Sequence, residues 1–167
     1  MRILLIGNPV SGRGRTPLAV EEVVRFATER GHDIRVEFTT SEANACQLGK
    51  EIPSGLDCLM IAGGDGAIND VINGADLAIL PPIIVVPTGT ANILARELSL
   101  PWAAKKIVEL AENGKTLGIP ICTANEKRFL MLVSCGFDAL VTRQIKLNRP
   151  KRMGFRGYAK PIIKSVR

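Results

Sequence analysis

The sequence is short of the residues that most often carry chemistry. It has one histidine, His32, and four cysteines, Cys46, Cys58, Cys122 and Cys135, all far apart. No CxxC pair occurs, which argues against a zinc knuckle, and the cysteines read as reduced core thiols. His32 follows Gly31 in a helix-to-strand turn, where it reads as a surface residue with nothing nearby to orient it as a base. No apolar run reaches the roughly 18 residues of a membrane span, because "LAILPPIIVV" is broken by Pro81 and Pro82. "MRILLIG" is too short for a signal peptide and has no small-residue cleavage site, so it reads as a buried strand of a cytoplasmic protein. Acid is missing from one region altogether. From Arg143 to Arg167 there are nine Lys or Arg and no Asp or Glu. The other 13 of the 22 basic residues face all 16 acids, so the net charge of +6 belongs to the tail. A basic tail suits phosphates or an anionic membrane, or is simply solvated. Nucleic acid is not expected as a partner, since Phe155 and Tyr158 are the tail's only aromatics and no known reading module is present.

What is present is a core and a rhythm. A chain of 167 residues, 46% hydrophobic, can bury a sizeable interior. "RILLIG" is a continuous apolar run, as in a strand buried on both faces. Thr16 and Pro17 then read as an N-cap and first helical position, with Val20, Val23, Val24 and Ala27 on one face. Glu21 and Glu22 stand early and Arg25 and Arg30 late, which suits the helix dipole, and Gly31 reads as a stop. "DIRVEF" alternates as a second strand, "CLMIA" is a third and "PIIVVP" a fourth, each followed by a polar loop and a helical pattern. "WAAKKIVELAENG" is amphipathic. Strand, loop and helix repeated predict an α/β fold with a doubly wound parallel sheet, ligand-binding loops lying at the carboxyl ends of the strands. After Gly114 the rhythm changes. "KTLGIPICTANEKRFLMLVSCGF" reads as two strands around a turn at Asn125–Lys127. The expected domains are therefore 1–114, an α/β nucleotide-binding domain, and 115–167, the opening of a β-rich second domain inside which the sequence stops.

Four loops share one design. Glycine admits close backbone approach, and amides at a helix N-terminus attract phosphate. "GNPVSGRGR" lacks the lysine and hydroxyl of a P-loop and also fails GxGxxG. Thr39-Thr40-Ser41 suits N-capping. In "GGDGAIND" an aspartate stands among three glycines, where it can hold Mg²⁺ beside phosphates or take a proton from a hydroxyl. Asn69 and Asn73 share a helix face, with a plainer reading as polar helix residues. In "PTGTAN", Thr88, Thr90 and Asn92 crowd around Gly89, as a phosphate grip or as a capped turn.

In that order, "NPVSG", "TT", "GGDGAINDVING" and "PTGTAN" resemble the catalytic domain of the diacylglycerol kinase family, from Arg2 to about Val141. That family includes sphingosine kinases and bacterial lipid kinases, and shares GGDG with NAD kinases and, more distantly, phosphofructokinases. "SCGFDALV" resembles the first strand pair of the family's β-rich domain. The resemblance implies an ATP- and Mg²⁺-dependent transfer of the γ-phosphoryl group to a lipid hydroxyl at a membrane surface. It implies that Asn8, Pro9, Ser11 and Gly12 line the nucleotide and that Thr40 contacts ATP. Gly63, Gly64, Asp65, Gly66, Ala67 and Asn69 would surround phosphates, with Asp65 catalytic or metal-holding. Thr90 would contact the γ-phosphate, with Thr88, Gly89 and Asn92 in the same nucleotide site, and by position Arg152 and Arg156 would also reach phosphates. Two departures stand out. Ala67 replaces the family's usual threonine, and the later acidic residues of the family have no counterpart here, so the chain reads as an N-terminal piece of a kinase. A NAD kinase-like enzyme and a non-catalytic nucleotide-binding module remain the alternatives, and a homodimer is left open.

Overall fold

The computed structural model describes residues 1–147. Contacts divide the chain into two compact units, the first Met1–Leu130 and the second beginning at Met131. The first unit opens with β1 (Arg2–Gly7), α1 (Thr16–Glu29), β2 (Asp33–Phe38), α2 (Glu42–Lys50), β3 (Cys58–Gly63) and α3 (Asp65–Gly74). It continues with β4 (Ile83–Pro87), α4 (Ile93–Glu97), α5 (Ala104–Asn113) and a hairpin, β5 (Cys122–Ala124) and β6 (Lys127–Phe129).

The four long strands form one parallel sheet in the order β2-β1-β3-β4. The order reverses at β1, so the crevice between the carboxyl ends of β1 and β3 is a topological switch point. Helices cover both faces, as the strand–loop–helix rhythm predicted. Ile3, Leu5, Met60, Ala62 and Val86 alternate toward α1 and α5, where they meet Val20, Val23, Ala27, Ile107 and Val108. Their period-2 neighbours Leu4, Ile6, Leu59 and Ile61 are equally buried and face the opposite way, which is why these strands read as unbroken apolar runs. On that second face α2 packs along α3. The approach is so close that a Cβ on Gly49 would overlap the Val71 carbonyl, and one on Gly74 the Cys46 carbonyl.

Several local expectations meet corrections. Thr16 does not cap α1. It is fully buried, and its hydroxyl is used by two loops described below. Glu21 and Glu22 lie beyond the first turn of α1, where the dipole has little effect. Gly31, at φ +78°, does end the helix, with the His32 amide donating back to Ala27 O. His32 is in a turn but is not a free surface residue. Its Nε2 lies 2.9 Å from Glu112 Oε1, and its side chain is 10% exposed. Arg30 grips the same carboxylate, holding Glu112 below the usual carboxylate range and tying the end of α1 to the end of α5. This cluster sits at the amino end of the strands, away from the switch point.

The hairpin forms where the turn was expected, at Asn125 and Glu126. The described element of the second unit is α6 (Phe137–Leu147). It is a helix where "SCGFDALV" suggested a strand pair. Phe137, Leu140 and Val141 recur at i, i+3 and i+4, which is helical and not strand spacing.

Candidate functional site

Each of the four loops leaves a strand at its carboxyl end, and backbone hydrogen bonds extend the sheet into them. The Asn8 amide donates to Ala62 O at 2.8 Å, and the Thr39 amide to Gly7 O at 2.9 Å. The amides of Thr88 and Gly89 both donate to Gly63 O, at 3.1 and 3.2 Å. The loops after β1, β3 and β4 are therefore laced together at the switch point.

Glycine makes that lacing tight. A Cβ on Gly12 would overlap the Thr88 carbonyl, and Gly12 also has φ +58°. Gly64 and Gly89 meet backbone to backbone, and a Cβ on Gly64 would stand 3.2 Å from the Gly89 Cα. A Cβ on Gly63 would be 2.6 Å from that of Ala67, with Ser11 Oγ and Asn8 Cβ just under 4 Å away. Gly66 differs. It is exposed, and nothing lies within 4 Å of where its Cβ would be. Gly12, Gly63, Gly64 and Gly89 thus serve packing within and between the loops, whereas Gly66 leaves open space. It sits at the start of α3, where the N–H groups of Asp65 and Gly66 have no intrahelical acceptor.

Asp65 does something the sequence did not announce. Its Oδ2 accepts the Ile93 amide and its Oδ1 the Leu94 amide, both at 3.0 Å. The carboxylate caps α4 across space, and the reason is local. Asn92, the residue before α4, is in the left-handed region at φ 48° and cannot cap the helix it precedes. Its 3%-exposed amide instead accepts the Gly89 N–H at 2.8 Å and donates to Gly89 O at 2.7 Å, closing the turn of "TGTAN".

Thr16 is the residue that sequence reasoning missed. Its hydroxyl lies 2.7 Å from the Thr88 hydroxyl and donates to Ser11 O at 3.3 Å, all buried. It fastens the loop after β1 to the loop after β4. A buried threonine ahead of a proline looks the same in sequence as a capping one, so no sequence signal distinguished them.

The structure thus gathers Asn8, Ser11, Gly12, Gly63, Gly64, Asp65, Ala67, Thr88, Gly89 and Asn92 into one linked set. Pro9 lies within the first loop, half-buried, while Asn8 Oδ1 accepts the Val10 amide. Ala67 is buried toward Gly63, so residue 67 does not present its side chain to the open space at Gly66. Thr90 is exposed. Thr40 is exposed at the end of β2, with its amide on Asn44 Oδ1, and Ser41 beside it is the N-cap of α2. Asn69 is half-buried on α3. Arg152 and Arg156 lie outside the described residues. Among the described residues no group of three His, Cys, Asp or Glu is placed to hold a metal, and no helix is long and apolar enough to cross a membrane. Asp65 is the one carboxylate among the linked residues, and each oxygen keeps a lone pair beyond the amide it accepts.

The family model for the diacylglycerol kinase catalytic domain matches residues 2–124. The chain belongs to the diacylglycerol kinase catalytic-domain family. It is 33% identical to a diacylglycerol kinase of Bacillus subtilis over 138 residues, covering 81% of this chain and 46% of that protein. It is 27% identical to an Escherichia coli protein named probable lipid kinase YegS, over 81% of this chain and 47% of that one. Among solved structures, a diacylglycerol kinase from Bacillus anthracis superposes with a TM-score of 0.66 at 27% identity, covering 77% of this chain and 45% of the other. The chain therefore spans less than half the length of these relatives. Family membership settles the fold as NAD kinase-like, with the glycine-rich loops at the switch point of its parallel sheet.

Proposed function

We propose that the polypeptide to which this chain belongs is an ATP-dependent lipid kinase. The observation that carries the proposal is the laced set of loops at the switch point, in a chain of this family, with Gly66 left open at the start of α3. The amides of Asp65 and Gly66 are the donors we assign to the nucleotide's phosphates, with Asn8, Pro9, Ser11 and Gly12 along one side and Thr90 on the other. Thr40 would reach ATP from the end of β2, and Asn69 would face the phosphates from α3. The lipid's hydroxyl oxygen bonds to the γ-phosphorus as the bond to the bridging oxygen of ADP breaks. The hydroxyl proton leaves to a base. Such transfer is mainly positioning and charge neutralisation.

Mg²⁺, when bound, would neutralise charge on the phosphates. Magnesium beside a nucleotide is held by one or two carboxylates together with the phosphates and water, so a single carboxylate fits that requirement. Asp65 is the residue we assign to the metal or to the proton, with its amide bonds to α4 fixing the direction of its free lone pairs. The second unit, beginning at Met131, would present the lipid at a membrane surface, where the basic tail would add about 1 kcal/mol per residue near anionic lipid. A cytoplasmic, membrane-peripheral enzyme follows from this reading.

One observation supports a second reading, binding without turnover: both oxygens of Asp65 already have a structural use. A single experiment separates the two. The whole natural polypeptide is given labelled ATP, Mg²⁺ and diacylglycerol or other lipid alcohols in mixed micelles, with NAD as a control acceptor. Asp65-dependent labelling of a lipid is the expected result. ATP binding with no labelled lipid selects the binding module, and labelled NAD alone selects a NAD kinase-like enzyme.

A further inference from the structure

The β5–β6 hairpin cannot stand by itself. It has three residues per strand, and isolated hairpins of that size are marginal in water. Its turn is also poor. Asn125 and Glu126 have φ of 47° and 64°, the pattern of a type I′ turn, which favours Asn followed by Gly. A glutamate in the second position works against closure. The support comes from α3, at four points. Asn73 Nδ2 donates to the Arg128 carbonyl at 2.8 Å, and Asn73 Oδ1 accepts the Arg128 amide at 2.9 Å, as a paired strand would. In return, Arg128 Nη1 donates to the carbonyls of Ile72 at 2.9 Å and Ala75 at 2.6 Å. Those carbonyls lie at the end of α3, where acceptors lack intrahelical donors and a cation is favoured. Arg128 makes no ion pair among the described residues. Its charge is directed at the helix end.

The other end of α3 is Asp65 and Gly66, about 15 Å away along the helix. Two residues beyond Arg128 the first compact unit ends, at Leu130. We propose that Asn73 and Arg128 are a positioning pair for phosphoryl transfer. They lock the hairpin to the helix that carries the phosphate donors. The polypeptide then passes into its second unit from a point fixed relative to those donors, and the joint between the units lies at Leu130–Met131, not in the 115–121 linker. The inference rests on the lipid-kinase reading, in which the second unit presents the acceptor.

The test uses the whole natural polypeptide and the variants Asn73→Ala, Arg128→Ala and Arg128→Lys. Two quantities are measured: amide hydrogen exchange across residues 122–130, and steady-state kinetics with ATP and diacylglycerol in micelles. Exchange at Lys127–Phe129 should accelerate tenfold or more in both alanine variants. Turnover with lipid should fall at least fivefold while the KM for ATP stays within twofold, and Arg128→Lys should lie between. Faster exchange with unchanged lipid kinetics would leave the pair merely structural and overturn the proposal. Unchanged exchange would overturn the latch itself. A wild-type protein that phosphorylates no lipid is seen before any variant is compared. It overturns the functional reading, and the positioning claim with it, whereas active wild type with equally active variants overturns the positioning claim alone.

Discussion

Replacing Asp65 by alanine separates what its carboxylate holds from what it reacts with. The two amide bonds to Ile93 and Leu94 are charge-assisted and half-buried. Bonds to a charged acceptor contribute about 1.5–3 kcal/mol each, and a lost N-cap typically costs about 1 kcal/mol. α4 has only five residues and its end is partly solvated, so the lower figures apply and Asp65→Ala should cost about 2 kcal/mol. Asp65→Asn keeps one acceptor oxygen and should cost about half of that. Urea unfolding followed by circular dichroism measures both. A loss under about 0.5 kcal/mol for the alanine variant would refute the capping role. The same variants in the whole polypeptide then address chemistry. If the carboxylate also handles metal or proton, Asp65→Asn should retain ATP binding yet lose turnover by about a hundredfold or more. If it acts only through α4, turnover should follow the modest loss of stability.

Four further outcomes follow from the packing. Gly74→Ala should destabilise by about 1–3 kcal/mol through overlap with the Cys46 carbonyl, whereas Gly66→Ala should leave urea stability intact and weaken ATP binding in calorimetry. Thr16→Val should cost about 1–2 kcal/mol by leaving the buried Thr88 hydroxyl without its partner, and Thr88→Val less, because the Thr16 hydroxyl keeps Ser11 O, with the double variant costing clearly less than the sum in a double-mutant cycle. Burial pushes the Cys58 thiol up to about 12, so iodoacetamide at neutral pH should label Cys122 and Cys135 first and Cys58 only on unfolding, read by peptide mass spectrometry. The Glu112 carboxyl is held low first by its hydrogen bond to Arg30. Its contribution should be complete above its ordinary value near 4.5 and disappear as pH falls through the lowered folded value, so Glu112→Gln should flatten the acid limb of a stability–pH profile.

The parallel sheet was legible because its chemistry is periodic. β1 from Ile3 onward and β3 throughout are apolar, and burial on both faces leaves few alternatives. β2 alternates because Ile34 and Val36 pack against the core while Asp33 and Arg35 are exposed. Legibility failed where one residue type serves two purposes. Thr16 has the sequence environment of an N-cap and the structural role of a buried tie. His32 has the environment of a surface turn, yet Glu112, 80 residues away, closes over it. "SCGFDALV" contains both a β-branched residue and helical spacing, and the helix forms over Phe137–Leu147.

The glycine knot shows the same limit more sharply. From sequence, three glycines around Asp65 mean room for a ligand, because glycine permits close approach of any group. In the fold, Gly63 and Gly64 are approached by Ala67 and Gly89, so the group that comes close is the protein itself. Only Gly66 keeps the space that a phosphate would need. A substitution at Gly64 would therefore push apart the loops that define the site, while one at Gly66 would fill the site without disturbing them. Loss of ATP binding in both cases, with loss of stability confined to Gly64, is the pattern this arrangement requires.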